Sequence, residues 1–287
     1  MTAPTRWSTL LQWLPGWARR WLDRPGGLMQ PTAIPEALWQ QALRGLPCLA
    51  ELNREEKSRL QALCARFLTD KEFHGAQGLV VSDAMALAVA AQACLPLLYW
   101  GPDALDWYDD FVGIVLHAGE VLAPRETLDE AGVLHHWREP LIGEAMAGGP
   151  VMLAWSHVRG DRQAQTQGHN LGIHEFAHKL DLRGKPAGTP ANGCPPLPAG
   201  FMGLGPSAAR QRWQQDWSAA YAHFCEQLAL AERFGQPAPW LDPYAAQAPA
   251  EFFACACEAY WVARERFGLE FPALAALLDT FFRRPPR

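Results

Sequence analysis

Hydrophobic positions recur at helical spacing over most of this chain, and strand-type runs are few. Residues 36–44 and 54–70 read as helices; the second opens on Asn53 as N-cap with Glu56 three positions later, a capping-box arrangement. The apolar run from Ala84 predicts a buried helix to residue 97. That run reaches only to Tyr99 and contains Pro96, so it falls short of the ~20 residues that span a bilayer. Residues 111–116 and 151–158 read as strands, the latter after a Gly148-Gly149 break. A loop, 159–169, leads to a helix capped by Asn170 and stopped by Gly184 and Pro186. Ile173 is the only β-branched residue between Asn170 and Gly184, which argues against a strand there. A Gly/Pro-rich loop, 185–206, follows, then helices over 207–234, 251–267 and 272–282. The pattern predicts an α+β, helix-dominated architecture with a small mixed sheet. One domain spans 36–284, with a helical part over 36–148 and a second part over 149–284; residues 1–35 form an N-terminal extension.

Composition narrows this picture. A hydrophobic content of 49% supplies a core, and a net charge of −5 argues against a nucleic-acid surface. Seven cysteines without finger or framework spacing point to reduced thiols in a cytoplasmic protein. The Trp- and Leu-rich stretch 7–22 is broken by Pro15 and lacks a signal peptide's apolar core. Of its two readings, a loosely packed extension is preferred to an interfacial helix that touches a membrane.

The chemistry is concentrated in His174-Glu175-Phe176-Ala177-His178, a H-E-x-x-H. Histidines four apart on a helix share a face and can bind one Zn²⁺, while Glu175 can act as general base on zinc-activated water. The bland alternative is a solvated polar face. It is the weaker one, because on an apolar helix two buried imidazoles are costly without a partner. A catalytic zinc takes a third protein ligand. A third His six residues after His178 is absent, since that position is Gly184 and the accompanying glycine position is Asp181. Glu251 and Glu258, seven apart on the helix that follows Pro249, are the candidates for a His₂Glu site. Asp181 shares a face with both histidines and is a candidate to hydrogen-bond a ligand imidazole, beside the ordinary reading of a surface or capping aspartate. His157 and His169 read as loop histidines.

The segment 174–181, HEFAHKLD, together with 242–254, DPYAAQAPAEFFA, resembles the Mlc titration factor A family of zinc peptidases, which in turn resembles the catalytic domain of anthrax lethal factor. Weaker matches at 50–57, 73–79 and 149–155 extend the resemblance over roughly residues 36–284. It implies a zincin-like (gluzincin) fold, Zn²⁺ held by His174, His178 and Glu251, and an oxyanion-stabilising role for Tyr244, seven residues before Glu251. Cys255 stands where lethal factor has a second Glu, which leaves the surroundings of the metal open; Glu258 is the candidate to complete them. The function expected is zinc-dependent, aminopeptidase-like hydrolysis of a peptide or protein substrate, although no anchoring site for a free amine is visible in the sequence. The alternative is a regulatory protein that binds and sequesters a transcriptional repressor of sugar uptake, as relatives bind Mlc. In peptidases of this kind the substrate pairs with a sheet-edge strand, and 150–158 is the strand nearest the motif.

Overall fold

The computed structural model describes residues 33–128, 134–141, 143–159 and 167–283. Most of the N-terminal extension, and with it the question of membrane contact, lies outside the described residues. From Ile34 onward the described residues form one compact unit. In chain order its elements are α1 (Glu36–Gly45), α2 (Arg54–Asp70), β1 (Glu72–Gly75), α3 (Asp83–Cys94), β2 (Gly113–His117), β3 (Val121–Leu128), β4 (Leu134–Leu141), β5 (Gly143–Ala145), β6 (Val151–Ala154), α4 (Trp155–Val158), α5 (Leu171–Leu182), α6 (Pro206–Phe234), α7 (Pro249–Val262), α8 (Arg264–Glu270) and α9 (Pro272–Phe281). No helix among the described residues is long and apolar enough to cross a membrane.

Local chemistry accounts for the ends of these helices. Asn53 accepts from the Glu56 amide at 2.9 Å while the Glu56 carboxylate accepts from the Asn53 amide at 2.8 Å, so the capping box is complete. Asn170 caps α5 by accepting from the Ile173 amide at 2.8 Å. Helix α3 gives way to a 3-10 turn at Leu95–Leu97, where Pro96 has no amide hydrogen to donate. The segment expected as one helix over 251–267 is two, with the break at Ala263.

The sheet is mixed. Its order is β1-β2-β6-β5, with β1, β2 and β6 parallel and β5 antiparallel to β6. This corrects two expectations. Residues 36–148, expected to be helical apart from one strand at 111–116, hold five strands among the described residues, including the separate antiparallel pair β3–β4. The expected strand over 151–158 stops at Ala154 and turns into the short helix α4, and β6 lies inside the sheet. The edge nearest the motif belongs to β5, in the register Gly143↔Leu153 and Ala145↔Val151. A short apolar run such as VMLAWSHV does not reveal by periodicity where strand becomes helix. β3 and β4 were hidden by their own composition, since Pro124 and Pro140 weaken a strand reading.

The core is aromatic and lies between the sheet and the C-terminal helices. Phe176, inside the H-E-x-x-H, is fully buried and packs against Phe67 at 5.8 Å and Tyr108 at 5.4 Å between ring centroids. On the facing helix, Phe252 and Phe253 pack against Trp217. These anchors hold α5 and α7 against each other. Helix α5 is buried on nearly every side, from Gly172 to Leu182, so each of its polar side chains needs a specific partner.

Candidate metal centre

The four-residue spacing on α5 brings the two imidazoles together, and the first turn of α7 adds a carboxylate. His174 Nε2 lies 3.2 Å from His178 Nε2 and 3.1 Å from Glu251 Oε2, and His178 Nε2 lies 3.3 Å from the same Glu251 oxygen. Three donor atoms thus form a nearly equilateral triangle. Ligands bound at about 2.0–2.1 Å in a tetrahedral site stand roughly 3.3 Å apart, so the triangle has the size of one face of such a site. Two nitrogens and one oxygen also form a donor set suited to Zn²⁺. The residues therefore fit a metal ion.

Glu258 takes the other side of His174. Its Oε1 lies 3.3 Å from His174 Nδ1, and its Oε2 accepts from the Asn170 amide at 2.6 Å. One carboxylate thereby fixes an imidazole and meets the positive end of α5. A proton held on Nδ1 leaves the Nε2 lone pair pointing at the triangle. Cys255 Sγ is also near, 3.9 Å from the same Nδ1, but burial pushes its thiol up to about 12 and keeps it neutral. The carboxylate beside this imidazole thus comes from Glu258, three residues further along α7 than Cys255. We expect Glu258→Gln to weaken metal affinity by about 10–100-fold. Metal-buffered titration checks this, and wild-type affinity would dismiss the role.

Charges in the cluster are mutually arranged. Burial opposes protonation of His174, but hydrogen bonds to Cys255, Glu251 and Glu258 outweigh it and hold the imidazole's pKa well above its ordinary value. Burial also opposes ionisation of Glu251, yet the two histidines outweigh it and hold the carboxyl well below the usual range. Glu175 behaves differently: burial pushes its carboxyl up, against the pull of His174 and His178. Its Oε2 is buried without a hydrogen-bond partner among the described residues, as is His178 Nδ1. Tyr244 lies over His174 with ring centroids 6.1 Å apart, half exposed, on the turn Pro243–Ala246 that Asp242 caps. Burial pushes its hydroxyl up to about 12.

Asp181 is directed elsewhere. Its carboxylate accepts from Lys185 Nζ at 2.8 Å and from the amides of Asn192, Gly193 and Cys194 at 2.7, 2.7 and 3.0 Å. The face it shares with the histidines on a helical wheel does not carry it to an imidazole, because the 192–194 loop presents three amides and Lys185 an ammonium to its two oxygens. His169 pairs with Asp242 at 3.2 Å and His157 with Glu120 at 3.5 Å, both away from the triangle. Two residues at the site escaped sequence reasoning. Lys179 is fully buried, its Nζ donating to the carbonyls of Met146 at 2.8 Å and Gly149 at 3.3 Å. Gly143 faces the Glu175 carboxylate, and an isolated glycine in a strand is the signal that could have marked this close approach.

A family model described as glucose-regulated metallo-peptidase M90 matches residues 17–283. Among curated proteins the chain is similar to Mlc titration factor A of Escherichia coli O7:K1, 34% identical over 255 residues that cover 89% of this chain and 88% of the relative. The protein of that name from Salmonella arizonae is 33% identical over 262 residues, covering 91% of this chain and 96% of the relative. The one from Klebsiella pneumoniae is 33% identical over 251 residues, covering 88% and 87%.

Proposed function

Because the chain belongs to the glucose-regulated metallo-peptidase M90 family, we propose that it is a zinc-dependent peptidase in which Glu175 is the general base. The observation that carries this is the triangle of His174 Nε2, His178 Nε2 and Glu251 Oε2, beside a buried glutamate oxygen with no partner. His174, His178 and Glu251 would hold the ion. When bound, zinc polarises the scissile carbonyl and brings the pKa of a water toward ~7. Glu175 would take a proton from the attacking water and pass it to the leaving amine. Glu258 holds His174 in the tautomer and orientation that present Nε2. Tyr244, whose hydroxyl keeps its proton at neutral pH, donates it as a hydrogen bond to the developing oxyanion. β5 is last in the order of the four-stranded sheet among the described residues, and pairing of an extended peptide along such a strand suits recognition with little demand on side chains. The reaction is aminopeptidase-like in this reading, and free thiols at all seven cysteines support a cytoplasmic location.

A panel of aminoacyl anilides, with and without a blocked amino terminus, tests both parts. The expected result is hydrolysis of the unblocked substrates, lost on chelation and restored by Zn²⁺. Inactivity of zinc-loaded protein on every member would dismiss the peptidase, and equal rates on blocked substrates would dismiss the aminopeptidase. The relatives' name, Mlc titration factor A, supports a second reading, in which the chain binds a transcriptional repressor. Binding to such a repressor that survives both chelation and Glu175→Gln would favour it.

A further inference from the structure

The edge of the sheet rests on the Glu175 carboxylate, and it does so at a glycine. A Cβ placed on Gly143 would fall 2.2 Å from Oε1, 2.6 Å from Cδ and 2.7 Å from Cγ of Glu175, and these are the three nearest atoms it would meet. The need for glycine comes from the glutamate.

Strand β5 is also tied in place. It pairs with β6 on one side, and at its end Lys179 grips the carbonyls of Met146 and Gly149. Lys179 stands four residues after Glu175, so one face of α5 presents both the carboxylate and the ammonium to the same strand. Withdrawing the lysine from those carbonyls would cost a buried ammonium two acceptors, leaving it Asp110, 3.5 Å away, and the Phe111 ring, 4.4 Å away. A methyl group at 143 is therefore accommodated by moving the carboxylate, the free end of a flexible side chain, and not the strand.

We propose that Gly143 is a positioning residue for Glu175, setting where the carboxylate stands relative to the His174–His178–Glu251 triangle. This rests on the peptidase reading above. Gly143→Ala should lower kcat by about 10²-fold, the cost of displacing a reacting group by about 1 Å. KM and zinc content should stay close to wild type, since the triangle itself is untouched. Glu175→Asp withdraws the carboxylate by one methylene and slows the enzyme by itself. Independent effects multiply, whereas effects through one contact do not. G143A/E175D should then be no slower than the slower single variant, and a multiplied loss would overturn the proposal. A crystal structure of G143A gives a readout free of activity: the Glu175 carboxylate should be displaced, and finding it unmoved beside a shifted β5 would overturn the proposal. If G143A does not fold, G143A/E175A should recover a cooperative thermal transition, and failure to do so would equally overturn it. An inactive wild type would remove the peptidase reading alone, because the carboxylate's position in G143A still decides the contact.

Discussion

Glu175→Gln should reduce peptide hydrolysis by about 10²–10⁴-fold while leaving the metal in place. The amide has nearly the shape of the carboxylate, so the close contact with Gly143 and the burial of the side chain are preserved. What it loses is the ability to take a proton. Among the described residues Oε2 is buried without a partner, which leaves the carboxylate an acceptor, and a glutamine offers that position either a donor or a much weaker base. The ligands are not altered, since the His174, His178 and Glu251 contacts do not involve Glu175. Zinc stoichiometry by atomic emission, set beside kcat for an anilide substrate, separates these effects. Full metal with activity near wild type would show that some other group is the base, whereas loss of metal would show that Glu175 supports the ligands.

The side chains of the candidate metal centre were brought together by helical spacing, which is local and so legible in the sequence. His174, Glu175 and His178 share a face of one helix, and Glu251 and Glu258 share a face of another, so two short patterns contain most of the centre. What spacing did not contain was the third dimension between elements. Glu258 reaches His174 Nδ1 only because α7 packs along α5, and Asp181 is taken by a loop thirteen residues downstream of it at most. The strand beside Glu175 was misplaced for the same reason. Edge position is a property of sheet order, and the order β1-β2-β6-β5 puts the apolar, recognisable β6 inside and the short GEA segment of β5 outside. Lys179 gave no signal because a lysine on a helix is ordinarily solvated, and here it is not exposed at all.

The placement of Asp181 leads to an outcome opposite to that of a metal-supporting aspartate. Asp181→Ala should destabilise the protein by about 3–5 kcal/mol, because removing one member of a buried charged network leaves a charge without its counter-ion and buried amides without an acceptor. The carboxylate is fully buried and satisfies three amides and the Lys185 ammonium at once. Its loss strands the Asn192 and Gly193 amides, at roughly 1–3 kcal/mol for each group left unsatisfied, and removes the ion pair of Lys185. The loop it holds is under tight constraint. Gly193 has φ +74°, a Cβ there would meet the Pro249 carbonyl at 2.5 Å, and its own carbonyl accepts from Trp213 Nε1 at 3.0 Å. Asn192 Oδ1 already accepts from Lys185 Nζ at 2.7 Å and from the Cys194 amide at 3.1 Å, so the Asn192 and Gly193 amides are the donors that depend on the carboxylate. For a chain of this size the midpoint of thermal unfolding should fall by roughly 10 °C. Zinc affinity of the folded variant, measured well below that transition, should change by less than about tenfold, whereas loss of a hydrogen bond to a ligand imidazole costs about 10–100-fold. Thermal melts of the metal-free and metal-loaded forms, with a zinc titration at low temperature, distinguish the cases. A variant that melts like wild type but binds zinc weakly would return Asp181 to the metal site. A lower midpoint with retained affinity places it as the clamp between α5 and the loop against which α7 begins.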